Sequence, residues 1–218
     1  MRARYRPFIT RVAVMALLVG SVSCGDVVRQ GKAPVIIIID DLTAASGADP
    51  GALGGFLLSD VQTLVEQTVG GVTTSVPVIF NDVAQATMRL IPKDGGNGAT
   101  NLNPTPWNAV TINRYRITFI RADGRNTPGL DVPYPVDGAV TATLTATPVV
   151  VPFEIVRHQQ KLEQPLRSLA SVNGSFGGVR LFISTIAEIT FYGADAMGND
   201  IQAKGTISVS FSDYADPE

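Results

Sequence analysis

The residue types that carry most protein chemistry are scarce in this chain of 218 residues. It has one histidine, His158, and one cysteine, Cys24. A Ser-His-Asp or Cys-His catalytic arrangement would have to use that histidine, and no Gly-x-Ser-x-Gly motif accompanies it. We therefore predict no catalytic residue and interpret His158 as a loop or surface side chain.

The sequence also gives little support for a metal site or for a catalytic pair of carboxylates. Zinc sites built from several His and Cys ligands are excluded by the count of these residues. Calcium needs only oxygen ligands, and Asp195, Asn199 and Asp200 crowd one predicted turn, but their spacing does not match a helix–loop–helix calcium loop. Asx-rich turns are common for conformational reasons, and no spacing singles out a carboxylate pair for glycoside hydrolysis. The sequence predicts no metal, no cofactor and no enzyme.

Two aromatic side chains in proline-rich loops offer the clearest binding chemistry. Trp107 follows Pro104-Thr105-Pro106, and Tyr134 lies between Pro133 and Pro135. If both loops leave the same end of the fold, the rings could form a stacking platform for a sugar or a peptide, because loops on a rigid scaffold often carry binding sites. The alternative interpretation is that Trp107 caps the core and the prolines stiffen long connections.

Residues 1–23 predict export. They contain four arginines and no acidic residue, and the apolar run 12–19 is followed by small residues, an order typical of a secretory signal peptide. A transmembrane helix would need about 20 apolar residues, and this run is far shorter.

The residues Val22-Ser23-Cys24-Gly25 resemble the lipobox of bacterial lipoproteins, in which a cysteine that follows small residues is acylated and becomes the N-terminus. The resemblance implies a signal peptide at 1–23, lipidation of Cys24 and a short tether at 24–33. The third position before the cysteine, usually leucine in a lipobox, is Ser21 here. The same residues also fit an ordinary signal peptidase site, which would leave a soluble protein with a free thiol.

The composition predicts a folded chain that does not bind nucleic acid. Apolar residues make up 45% and charged residues 17% of the chain, which is enough to bury a core. Beyond residue 23, the 17 basic residues less the four arginines leave 13 against 19 acidic residues, a formal charge of −6. That charge disfavours contact with phosphate backbones. A single cysteine excludes an intramolecular disulfide.

The strongest pattern lies near the C-terminus. From Ile201 to Phe211 apolar or small residues alternate without a break with polar ones, and the same alternation runs through 187–192. Period-two alternation indicates strands with one face on a core, and the turn-forming link 193–200 predicts an antiparallel hairpin. The hairpin resembles the last two strands of bacterial Ig-like domains.

Shorter patterns predict the other strands. Residues 59–69 fit a helix or a strand, and the strand is favoured; 162–169 should form one or two helical turns because Pro165 interrupts them. A change of parity suggests a bulge near Asn113, and Pro152 suggests an edge strand. The remaining strands are predicted at 34–39, 76–80, 86–91, 110–119, 140–144 and 151–156.

Seven to nine short strands joined by long loops predict an all-β fold, an antiparallel Ig-like (Greek-key) β-sandwich formed as a single domain by residues 34–218. The predicted product is an exported lipoprotein held on a cell-envelope membrane through Cys24, with a non-catalytic structural, adhesion or binding role. Its partners would be the membrane and a protein or glycan. The alternative is a soluble secreted β-sandwich that binds a carbohydrate or peptide through Trp107 and Tyr134.

Overall fold

The computed structural model describes residues 31–94, 103–170 and 181–214. The predicted signal peptide and Cys24 lie outside these residues. The described chain forms ten strands in the order β1 (Val35–Ala45), β2 (Phe56–Asp60), β3 (Thr63–Val69), β4 (Val72–Val78), β5 (Asp82–Pro92), β6 (Val110–Ile120), β7 (Val136–Leu144), β8 (Val149–Val156), β9 (Ile183–Asp195) and β10 (Asp200–Ser212).

Two sheets pack face to face, and the predicted all-β sandwich is confirmed. The smaller sheet has the strand order β1-β5-β8 and the larger one β2-β10-β9-β6-β7. Every neighbouring pair is antiparallel except β2 and β10, which run parallel. Strands β3 and β4 form a separate two-stranded hairpin, which brings the total above the seven to nine strands predicted.

The core lies between the inward faces of the two sheets, as the alternation of the sequence requires. In β5 the inward residues Ala84, Ala86, Met88 and Leu90 are all fully buried. Three aromatic rings join the sheets: Phe153 of the smaller sheet lies 5.1 Å from Tyr115 and 5.3 Å from Phe191, measured between ring centroids. These contacts fix the distance between the two layers.

Several local predictions are confirmed. The register of β6 shifts between Ile112 and Arg114, which places the predicted bulge at Asn113. Pro152 lies in β8, an edge strand, and residues 59–69 belong to β2 and β3 rather than to a helix. A 3-10 turn at Leu166–Leu169 confirms a helical turn within 162–169, whereas helix α1 (His158–Leu162) begins before the predicted segment. Strand β1 extends to Ala45 through a register shift at Asp41, further than the predicted end at Ile39.

Pairing gives the sandwich two distinct ends. The first residues of β1 and β6 and the β9–β10 turn share one end, because Val35 pairs with Pro92 and Val110 pairs with Asp195. Gly31, in the predicted tether, also lies there and lines the same cleft as Asp200. We call this the tether end and the opposite one, marked by Ile120 and Ser212, the far end. No helix of the described residues is long and apolar enough to cross a membrane.

Candidate functional site

A buried ionic network at the far end contains the only fully buried lysine among the described residues. The Nζ atom of Lys161 lies 2.8 Å from Oδ1 of Asp82, and the two side chains are 1% and 0% exposed. Lys161 also donates a hydrogen bond of 2.7 Å to the carbonyl oxygen of Asp60. The carboxylate of Asp82 accepts further hydrogen bonds from the Ser59 hydroxyl at 2.5 Å and the Gly47 N–H at 2.9 Å. Each partner of the ion pair is therefore nearly saturated with hydrogen bonds.

The network joins distant parts of the chain and is closed to substrates. Burial raises the pKa of Asp82, and the opposing effects of Lys161, Ser59 and Gly47 only partly offset it. Because neither charged group reaches the surface, no substrate could contact them. The network instead fixes α1 against the ends of β2 and β5, which makes its role structural.

No pattern in the sequence predicts this network. Asp82 lies between the strands predicted at 76–80 and 86–91, and the predicted helical turns at 162–169 begin one residue after Lys161. Hydrophobic periodicity does not mark a buried lysine, since its burial depends on a carboxylate 79 residues away.

His158 lies on the surface at the start of α1, as expected. Its Nδ1 atom is 2.9 Å from Oδ1 of Asn81, which also accepts a hydrogen bond from the backbone N–H of His158. The ring therefore contacts an amide rather than an acid that could orient a catalytic base.

The structure does not bring Trp107 and Tyr134 together. Trp107 lies just before the first residue of β6, whereas Tyr134 lies just before β7, whose first residue Val136 pairs with Ile117. Seven residues of strand, about 23 Å, separate Val110 from Ile117, so the two rings are at opposite ends. The condition for a shared stacking platform is not met.

The surroundings of the two rings also differ. Trp107 is 84% exposed, so the interpretation that it caps the core is wrong. Tyr134 is half exposed, and its ring covers Gly129, where an added Cβ would lie 2.3 Å from the phenol oxygen. Gly129 has a φ of +77°, a conformation that favours glycine. Tyr134 therefore stabilises its own loop, and Trp107 is the freer of the two side chains.

An exposed apolar row crosses the outer face of the larger sheet near the far end. Phe56 of β2 pairs with Ser208, Ser208 pairs with Ile186 of β9, and Ile186 pairs with Ile120 of β6. The register thus aligns three apolar side chains around one serine. Leu58 of β2 extends the same face, and Phe182 is exposed directly before β9 begins. The exposed fractions of the five apolar members are 61% for Phe56, 47% for Leu58, 41% for Ile120, 68% for Phe182 and 44% for Ile186.

The β3–β4 hairpin, which follows β2 along the chain, carries a second apolar surface. Val65 pairs with Val76 and Val69 pairs with Val72, so the four valines share one face of the hairpin. All four are exposed, Val69 and Val72 to 68% and 66%. The opposite face is polar near the turn, where the hydroxyl oxygens of Thr68 and Thr73 are 2.9 Å apart. We call the apolar row and this valine face together the far-end surface.

A cleft of about 490 Å³ lies at the tether end. Its lining combines apolar groups such as Ile36 with the side chains of Lys93, Arg114 and Tyr192. The Arg114 guanidinium stacks on the Tyr192 ring at 4.1 Å from the centroid, and Lys93 donates a hydrogen bond of 2.8 Å to the Gly31 carbonyl. Both cations therefore support the local structure, one of them by holding the end of the predicted tether.

The acidic turn between β9 and β10 has a conformational role. Oδ1 of Asp195 accepts hydrogen bonds from the N–H groups of Met197 and Asn199 at 2.9 and 2.8 Å, and Oδ2 accepts one from the Asn199 amide. Burial raises the pKa of Asp195, but these donors more than offset that effect, and the pKa lies below its usual value. Within the described residues no three acidic, His or Cys side chains come together as a metal site.

Comparison with known proteins does not assign the chain to a family, because no family model, no curated protein and no solved structure matches it.

Proposed function

We propose that this protein is a lipid-anchored lipoprotein of the cell envelope whose β-sandwich binds a protein partner without catalysing a reaction. The signal peptide and lipobox-like residues before Cys24 support the anchor. The far-end surface carries the proposal of binding, because rows of exposed apolar side chains mark interaction sites.

The two ends of the sandwich divide the proposed roles. Gly31 lies at the tether end, and the far-end surface begins at the opposite end of β10, where Ser208 pairs with Phe56. An anchor at Cys24 therefore leaves the far-end surface away from the attachment point. Enzymatic activity is disfavoured because the Lys161–Asp82 pair is buried and because the His158 ring contacts the Asn81 amide instead of an acid.

Acylation is tested by the intact mass of the protein purified from the membranes of its own host. We expect the mass of residues 24–218 plus acylglycerol, because the cysteine directly follows the predicted signal peptide. The variant Cys24→Ala cannot be acylated at residue 24. If its signal peptide is still removed after Ser23, the protein should appear in the soluble fraction. An unmodified mass for residues 24–218 would contradict the anchor and favour the secreted alternative.

Partner binding is tested by paired changes on the two faces of one hairpin. The double variant Val69→Lys/Val72→Lys places two charges on the far-end surface, and Thr68→Lys/Thr73→Lys places the same charges on the polar face. After chemical crosslinking in the host envelope, we expect recovery of the partner to fall about tenfold with the valine variant, the effect of a lost hot spot. The threonine variant should retain recovery to within about twofold.

Circular dichroism of both hairpin variants checks that the sandwich remains folded. Equal recovery with the two variants would show that the valine face does not bind the partner.

A further inference from the structure

Two loops at the tether end expose large apolar side chains to solvent. Trp107 and Met197 are each 84% exposed, the highest exposure of any large apolar residue described. The loops are neighbours: Trp107 lies three residues before Val110, and Met197 lies two residues after Asp195, the pairing partner of Val110. Two large apolar side chains exposed at the same place indicate that this end of the sandwich binds a partner.

Both loops are held in fixed conformations. The 3-10 turn at Pro106–Asn108 is closed by Asn108, whose side chain accepts hydrogen bonds from the N–H and the hydroxyl of Thr105 at 3.0 and 2.9 Å. The Met197 turn is closed on the Asp195 carboxylate, and Gly198 supplies the positive φ of +78°. Because the loops are already ordered, binding through their apolar tips loses little further conformational entropy.

The predicted anchor identifies what these tips face. Seven residue steps separate Cys24 from Gly31, so the connecting chain spans at most about 25 Å. Gly31 lies on the cleft at the tether end. Acylation of Cys24 would therefore keep the tether end within a short distance of the bilayer surface.

We propose that the tether end docks on the bilayer, with Trp107 and Met197 inserted at the level of the lipid headgroups. This inference rests on the lipid anchor of the proposed function. Tryptophan suits this position because its ring is apolar and its indole N–H can stay hydrated.

The charge of the tether end indicates whether docking requires anionic lipids. The basic residues Lys32, Lys93 and Arg114 are nearly matched by the acidic residues Asp94 and Asp200. Docking is therefore driven by apolar contact. We expect it on zwitterionic phosphatidylcholine, with little dependence on salt.

The only tryptophan of the chain makes docking directly measurable. Acylated protein purified from membranes is reconstituted into phosphatidylcholine vesicles, with or without bromine on the acyl chains. We expect Trp107 emission to be blue-shifted and quenched by the brominated lipid. If a chain shown by mass to be acylated keeps the emission of a water-exposed indole and is not quenched, the docking inference is overturned, while the anchor stands.

A second measurement does not depend on acylation. The mature chain, residues 24–218 carrying Cys24→Ala, is titrated with the same vesicles. We expect weak binding, which Trp107→Ala should reduce about tenfold, the effect of withdrawing one large apolar side chain from a buried position. Tyr134→Ala at the far end is the matched control and should leave binding unchanged.

Two results would overturn the inference. One is equal vesicle binding by the Trp107→Ala and Tyr134→Ala variants. The other is a Trp107 emission shift produced by soluble envelope glycans and not by vesicles, which would assign the ring to glycan binding. A mass without acylglycerol would remove the anchor alone, because the vesicle titration still tests the docking.

Discussion

Replacement of Lys161 by methionine is expected to lower the free energy of unfolding by about 3–5 kcal/mol, because it leaves the buried carboxylate of Asp82 without its cation. That loss is a large part of the 5–15 kcal/mol that stabilises a typical domain. Urea denaturation followed by circular dichroism measures it. Lys204→Met is the matched control: its Nζ also lies 2.8 Å from a carboxylate, that of Glu188, but the lysine is 55% exposed, so little change is expected.

The pH dependence of the Lys161→Met variant gives a second readout. Burial raises the pKa of Asp82 above its unfolded value, so its protonation favours the folded state. The resulting stabilisation is fully present below the unfolded pKa, about 4, and is lost as the pH rises through the folded pKa. Because the variant lacks the opposing effect of Lys161, we expect its deficit relative to wild type to be largest at neutral pH and to shrink toward pH about 4.

Addition of Asp82→Asn to Lys161→Met should recover part of the lost stability. Asparagine removes the unpaired charge and keeps a carbonyl oxygen for the Gly47 N–H. A deficit that is the same at both pH values and is not reduced in the double variant would contradict the assigned role of the ion pair.

Replacement of Phe191 by alanine is also expected to cost about 3–5 kcal/mol, the usual loss for a large ring removed from a core. Phe191 is fully buried on β9 and contacts both Phe153, in the opposite sheet, and Tyr115. The variant leaves a cavity where the two sheets meet. Phe182→Ala is the matched control, because that ring is 68% exposed, and its effect should stay within about 0.5 kcal/mol.

Urea titration of both phenylalanine variants measures the change in the midpoint Cm and in the slope m. A similar, small loss for Phe191→Ala and Phe182→Ala would show that the aromatic contacts between the sheets contribute little. If Phe191→Ala does not fold, Phe191→Leu keeps part of the apolar volume and should give a smaller, measurable loss of stability.

The sequence was sufficient to predict most strands and their inward faces. Alternation is a local property, and a strand buries every second residue wherever it lies in the sheet. A change of parity predicted the bulge at Asn113, and the missing N–H of Pro152 predicted an edge strand. Even the far-end surface left a signal in the sequence, because Ile120 and Ile186 occupy positions that alternation assigns to solvent.

The arrangement of those strands required the tertiary structure. Strand β2 pairs in parallel with β10, about 150 residues later in the chain, and this pairing brings Phe56 into line with Ile186. The register of β6 and β7 likewise places Trp107 and Tyr134 at opposite ends. No local pattern encodes either result, because strand pairing depends on contacts between residues that are far apart in the sequence.

The burial of Lys161 shows most clearly that local sequence does not predict contacts between distant residues. Local sequence favours an exposed position for Lys161, as for most lysines. Only the packing of α1 against the ends of β2 and β5 gives it a carboxylate and a carbonyl that offset the cost of burial. The sequence alone thus determined which faces of the strands are apolar. The tertiary structure decided which charges are buried and which side chains lie together, since both depend on partners distant in the chain.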